Sequence, residues 1–351
     1  MKTSYNNTSS LLTYLSSFNA IELLGLIIKL LILVVCVLIS VAYFTLVERK
    51  ILAAIHRRRG PNVVGVYGLL QPLADGFKLL VKEFVTPSGV ENKLLFIYSP
   101  AFFFVCSLMG WAFIPFGAYS VLVDINIALL FIVGISSLSV LGVIVSGWSS
   151  NSKFSFLGAL RSASQMISYE ITLTLGFVCV CVLATSFNLN EIVESQLKCW
   201  HIIGLFPVFL MTLISSVAET NRHPFDLPEA EAELVSGYNT EYSGMFFALF
   251  SLAEYSSILL MSSLMVLLFV GGWLSPFSMI FGDSTIFDNI WFGPIWFALK
   301  LNIFIAFYVY CRAYLPRFRY DQLMALGWKL FLPAMLSILL GLMFLVYLFP
   351  Y

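Results

Sequence analysis

The sequence predicts an all-α polytopic membrane protein with eight transmembrane helices and an amphipathic surface helix in the first inner loop. Three observations carry this. Hydrophobic residues make up 60% of the 351-residue chain and charged residues 11%, where a water-soluble domain carries about 25% charge. Apolar runs recur that reach or approach the ~20 residues a helix needs to cross the hydrocarbon of a bilayer. Basic residues gather in alternate connections between those runs.

Residues 1–20 are polar and rich in Ser and Asn. They lack the apolar core and small-residue cleavage site of a secretory signal, and read as a polar N-terminal extension. A single integral-membrane domain is expected over 21–351, with spans near 21–47, 99–116, 125–147, 162–186, 202–218, 244–273, 290–311 and 329–349. The runs 99–116 and 202–218 are the shortest, and Pro100, Pro115 and Pro207 fall near run ends, where proline is tolerated. The long connection 48–98 holds a basic run (His56, Arg57, Arg58, Arg59), Gly and Pro punctuation, and then Leu69 to Phe84. There Leu70, Leu73, Phe77, Leu80, Val81 and Phe84 recur at helical spacing while Asp75, Lys78, Lys82 and Glu83 lie largely elsewhere. That pattern is an amphipathic helix on a membrane surface or against a partner. No internal repeat is evident, which weighs against a transporter built from inverted halves.

Eight spans put the loops 48–98, 148–161, 219–243 and 312–329 on one side, and these hold 15 of the 19 basic residues. The positive-inside rule then places them in the cytoplasm or matrix, with both termini on the opposite side.

Ionisable residues inside the spans are the informative ones, since each costs ~2.5–3.5 kcal/mol at mid-bilayer. Glu170 and Glu254 lie about ten residues into the fourth and sixth spans from the inner end, at similar depth, or ~15 Å at 1.5 Å per residue. Lys300 is near the middle of the seventh span and Lys29 is inside the first. Loss of hydration favours the neutral form of such groups and suits them to exchange protons; static ion pairs that brace the bundle are the alternative. Arg161, Gln165 and Tyr169 form a polar stripe at i, i+4 and i+8, suited either to the same traffic or to helix–helix hydrogen bonds. The connection 219–243 gathers Glu219, Asp226, Glu229, Glu231, Glu233 and Glu241 around one cation, Arg222. Asp226, Pro228 and Glu229 have the form of a helix start. The acidic run reads as a solvated face, as crowded carboxylates that retain protons, or as a partner for the basic 48–98 loop.

Much other chemistry has no supporting pattern. Lys plus Arg and Asp plus Glu number 19 each, so charge implies no nucleic-acid partner. The three histidines lie in or beside loops, the six cysteines are scattered, and the pair Cys179 and Cys181 points to opposite sides of a helix. Neither a dinucleotide-binding glycine fingerprint nor a phosphate loop is present.

The strings VERKILAAIHRRRGPNVVGVYGLLQPLADGFKLLVKE (47–83), GALRSASQMISYE (158–170), AETNRHPFDLPEAEAELVSGYNTEYSG (218–244), AEY (253–255) and CRAYLPRFRYDQLM (311–324) resemble subunit 1 of respiratory complex I, the NADH:ubiquinone oxidoreductase, over about residues 21–349. The resemblance implies an eight-helix subunit that joins the membrane arm to the hydrophilic arm. It implies a chain that lines the ubiquinone tunnel and starts a buried carboxylate relay to the proton-pumping subunits. On that pattern Tyr169, Glu170, Glu219, Asp226, Glu229, Glu231, Glu233, Glu241 and Glu254, with Arg161, belong to the relay. Arg49, Asp75, Lys78, Phe225 and Arg312 fall beside the quinone passage, and Arg317, Arg319 and Asp321 in the last inner loop. The resemblance also implies that this chain binds no redox cofactor, with ubiquinone as substrate and FMN and iron–sulfur clusters on partner subunits. Implied partners are the hydrophilic quinone-site subunits, an iron–sulfur subunit, small membrane subunits and membrane lipids, cardiolipin among them. The polar extension, His223 and residues 272–289 depart from the pattern. The 33 Phe and 16 Tyr fit an AT-rich organelle coding bias, so the mitochondrial inner membrane is expected before a bacterial plasma membrane. Two other readings of the same carboxylates are the anchor of a membrane-bound hydrogenase and a stand-alone ion or proton transporter.

Overall fold

The computed structural model describes residues 20–90, 92–118, 120–227, 235–276 and 292–348, with side chains from Leu24 onward. Nearly all of the polar extension, most of 272–289, and Glu229, Glu231 and Glu233 with the helix expected to start beside them lie outside the described residues. Among the described residues every regular element is helical.

Helix α1 covers Ala20–Ile55, α2 Gln71–Val81, α3 Lys93–Met109, α4 Ala128–Ser149, α5 Lys153–Ala184 and α6 Leu189–Ser195. They are followed by α7 His201–Gly204, α8 Phe206–Glu219, α9 Met245–Phe269, α10 Gly293–Tyr314, α11 Tyr320–Ala325 and α12 Leu332–Leu348. A π-helical turn, Leu326–Phe331, joins the last two into one rod. Seven of these rods are long and apolar enough to cross a membrane: α1, α3 with its 3-10 extension, α4, α5, α9, α10 and the α11–α12 rod. The expected 202–218 span is the shorter α8, whose 14 residues rise ~21 Å. The protein is an all-α polytopic membrane protein.

Two helices outrun their expected spans on the basic side. Helix α1 passes 47 and runs on to Ile55, because Glu, Arg, Lys, Leu and Ala are all good helix formers and no breaker precedes Gly60. Helix α5 starts at Lys153, nine residues early, where the Ser152 hydroxyl accepts from the Ser155 amide. The amphipathic helix is present as α2, with Pro72 in its first turn and Leu70, Leu73, Phe77, Leu80 and Val81 all exposed.

Helix α5 is the hub, packed against α4, α8 and α12. Helix α9 joins α3, α1 and α10. Its sequence is apolar on all sides, and from Ile258 to Phe269 every residue is buried. Where α5 meets the turn Gly237–Asn239, Gly158 permits backbone contact: a Cβ there would lie 2.7 Å from the Gly237 Cα. That turn carries Tyr238, whose hydroxyl reaches Glu254. Gly158→Ala is therefore expected to cost ~1–3 kcal/mol through overpacking and to lower the melting midpoint of the detergent-purified protein. An unchanged midpoint would show that the two backbones part freely.

Lys29 does not enter the bundle. It is exposed on α1, beside a groove formed with α10.

Candidate functional site

Glu48 is a buried acid paired on both of its oxygens. Val37, Val41, Phe44 and Glu48 recur along α1 at helical spacing, and all four are buried, with Glu48 only 2% exposed. Arg312, near the end of α10, donates to its Oε1; Arg222, just beyond α8, and Tyr255 of α9 donate to its Oε2, the tyrosine at 2.7 Å. Arg222 also lies over the Tyr255 ring, 4.6 Å from its centre. Four elements thus meet on one carboxylate, whose charge is matched on both oxygens. Burial opposes the Arg222 charge, but Tyr255 and Glu48 outweigh it and hold the guanidinium above its ordinary range, so it stays cationic.

Of the acids that could pair with the basic 48–98 loop, Glu229, Glu231 and Glu233 lie outside the described residues. The cation of the acidic connection, Arg222, pairs with an acid at the inner end of α1. Asp226 turns to the last basic loop, 3.6 Å from Arg317. Beside it His223 is held below its usual value by burial and by the charges of Arg317 and Arg312, which keeps it neutral at pH 7.

From Arg222 the polar path continues into the bundle. Arg222 interacts electrostatically with Glu254, which accepts from Tyr238. Glu254 and Glu219 line one cavity of about 50 Å³ with Ser136, Ser139, Asn221 and Ser257. One water needs ~10–15 Å³ by that measure, so the space accommodates a few. Two buried acceptors lining it, Glu219 Oε2 and Asn221 Oδ1, have no protein partner. The other side of Glu219 faces a narrower crevice shared with Glu170, Ser136 and Thr174, and the two acids interact electrostatically. Glu170 accepts from Ser137 of α4. The series Glu48, Arg222, Glu254, Glu219, Glu170 is therefore a run of neighbouring groups, with Glu48 and Glu219 buried and Glu254 and Glu170 half-buried. Hydroxyl groups and a cavity large enough for water lie between its acids, which is what proton exchange needs.

Tyr169 is fully buried and its hydroxyl donates to the Leu323 carbonyl at 2.8 Å; its ring meets Phe225 and Phe331. Gln165 donates to the carbonyls of Ala218 and Phe225, both at 2.8 Å, tying α5 to the start of the acidic connection. Phe225 is buried and stacks on Phe318 at 5.3 Å. Arg49, one position on from Glu48, points away from the core and pairs with Asp75 of α2 at 2.7 Å. Both partners are well exposed, so that pair contributes ~0–1 kcal/mol. Lys78 is exposed on α2, and Glu241 is half-buried in the turn before α9. Of the acids expected to work together, the structure joins Glu170, Glu219 and Glu254 and leaves Glu241 apart. It adds Glu48, Tyr238, Tyr255 and Ser136, which sequence reasoning missed.

Comparison with known proteins supplies the family. A family model described as NADH dehydrogenase matches residues 28–343. NADH-ubiquinone oxidoreductase chain 1 of Chondrus crispus is 54% identical over 316 residues, covering 90% of this chain and 94% of the relative. The Arabidopsis thaliana chain 1 is 53% identical, covering 90% and 93%. A bacterial relative, an NADH-quinone oxidoreductase subunit of Paramagnetospirillum magneticum, is 50% identical over 314 residues, 89% of each chain. The chain belongs to the NADH dehydrogenase family, which includes chain 1 of the NADH-ubiquinone oxidoreductases and its bacterial counterpart.

Proposed function

We propose that this chain is the membrane subunit of a proton-pumping NADH:ubiquinone oxidoreductase that lines the ubiquinone passage and begins the relay coupling quinone reduction to proton translocation. The observation that carries the reading is the run of acids from Glu48 through Glu254 and Glu219 to Glu170. Glu170 and Glu254 lie within spans, where an unpaired charge costs ~2.5–3.5 kcal/mol at mid-bilayer, and a cavity lies between Glu254 and Glu219. Arg49, Asp75, Lys78, Phe225 and Arg312 stand on the quinone side. Tyr169, Asp226, Glu229, Glu231, Glu233 and Glu241 complete the relay set.

Reduction of ubiquinone to ubiquinol takes up two electrons and two protons. Negative charge that develops beside Arg312 competes with Glu48 for that guanidinium. Glu48 then leans on Arg222, and the field of Arg222 on Glu254 weakens, which favours a proton on Glu254. Water in the cavity passes the change to Glu219 and Glu170. Electrons reach the quinone from iron–sulfur clusters, and first from FMN, on partner subunits; this chain supplies the apolar passage and the protonatable groups. Its partners are the hydrophilic quinone-site subunits and the adjoining small membrane subunits, with lipid around the outer helices. The compartment is the mitochondrial inner membrane, with both termini on the intermembrane-space side.

Glu254→Gln or Glu170→Gln in the assembled complex is expected to lower quinone reductase turnover and proton pumping together. The measurement is NADH oxidation alongside proton uptake in proteoliposomes. Normal turnover with normal protons per NADH in both variants would reduce these residues to structural props.

A further inference from the structure

At the end of the bundle remote from the Glu48 cluster, Lys300 is 6% exposed and has no acidic partner among the described residues. Its ammonium group instead donates to three carbonyls: Val270 at 2.7 Å, Gly272 at 3.1 Å and Leu274 at 2.7 Å. It also lies 4.4 Å from the centre of the Trp200 ring. An ammonium has three N–H donors and the cage has three acceptors. These carbonyls follow the C-terminus of α9, where the helix dipole is negative and the last carbonyls lack intrahelical partners.

Two more side chains finish the same task. Gln196 donates to the Leu267 carbonyl at 2.8 Å and accepts from the Gly271 amide at 2.9 Å, and His201 meets the Leu268 carbonyl at 3.0 Å. The end of α9 is thus held by α10, by the turn after α6 and by α7. A neutral amine has only two N–H donors. Loss of a proton from Lys300 would therefore orphan one carbonyl and remove the charge that answers the dipole. The cage matches the three donors of an ammonium group one to one.

We propose that Lys300 is a positioning residue: a cap that fixes the far end of α9, and takes no part in proton transfer. Helix α9 is continuous from there back to Glu254 and Tyr255, about 24 Å away at 1.5 Å per residue. The cap therefore sets the height at which those two side chains meet Arg222 and Glu48. This assignment rests on the relay reading of Glu254.

The test uses the complete complex carrying Lys300→Met, Lys300→Arg or Gln196→Leu in this chain. Melting midpoint, kcat and KM for quinone, and protons moved per NADH are measured for each. Lys300→Met should lower the midpoint and reduce kcat about tenfold, with KM for quinone and protons per NADH unchanged in the complexes that assemble. Lys300→Arg should restore most of kcat with normal protons per NADH, because a guanidinium donates to carbonyls and does not deprotonate. Gln196→Leu should repeat the methionine result in weaker form. The proposal is overturned by a Lys300→Met complex with a wild-type midpoint but fewer protons per NADH, or by an assembled Lys300→Arg complex that does not pump. If neither Lys300 variant assembles, Gln196→Leu decides: a lower midpoint with intact stoichiometry supports the cap, and a silent variant sinks it. A silent Glu254→Gln would instead remove the relay and leave the effect on the midpoint standing.

Discussion

Glu48→Leu is expected to destabilise the protein by ~3–5 kcal/mol, the range seen when one member of a buried ion cluster is removed and its partners keep their charge. The Arg222 side chain is 14% exposed, so its stranded charge bears the full desolvation cost. Arg312, with 42% of its side chain exposed, is screened by solvent and adds a smaller share. Tyr255 also loses its 2.7 Å acceptor. The result should be a sharply lower yield of assembled complex and a lower melting midpoint for what remains. The double variant Glu48→Leu, Arg222→Met removes both buried charges and should recover part of the loss, because the two single effects share one interaction. A Glu48→Leu protein that melts with the wild type would mean that the three partners relax to solvent without cost, and the cluster would not be the anchor of this site.

That cluster also marks the limit of what is legible in the chain. Helices such as α4 and α9 are plain in the sequence, because a long apolar run in a membrane protein has few alternatives to a helix. The surface helix α2 is plain too, since Leu70, Leu73, Phe77 and Leu80 share one face. The end of α1 is not, because the first charges after an apolar run look like a boundary, and that places Glu48 in the loop. Its signal lies one step away: it continues the buried stripe of Val37, Val41 and Phe44. Glu219 is named in the sequence as the first acid of the 219–243 connection, and the structure makes it the last residue of α8. Which charges pair across the fold has no local signature. That Arg222 meets Glu48, and Asp226 meets Arg317, follows from which helix ends converge. Lys300 shows a related limit. A lysine in an apolar run suggests either an ion pair or proton exchange, and the three carbonyls that surround it in the fold have no signature in the sequence.

Glu219→Gln separates charge from fold most cleanly. The carboxyl group is buried, one oxygen has no protein partner, and Glu170 interacts with it across a shared crevice. Glutamine preserves shape and one acceptor, so the melting midpoint should move by the equivalent of less than ~1 kcal/mol. It cannot take up or release a proton. If the cavity between Glu254 and Glu219 is the route, coupled quinone reduction should fall by roughly 100-fold, the lower range for removal of a positioned acid–base group, while Glu219→Asp should retain a measurable part. Stability and turnover are therefore expected to part company here, whereas at Glu48 they fall together. The comparison of midpoint with proton-coupled turnover across the two sites distinguishes an acid kept for its charge from one kept for its proton. A Glu219→Gln complex that pumps normally would confine the route to other residues; one that fails to assemble would place Glu219 with Glu48 among the structural ions.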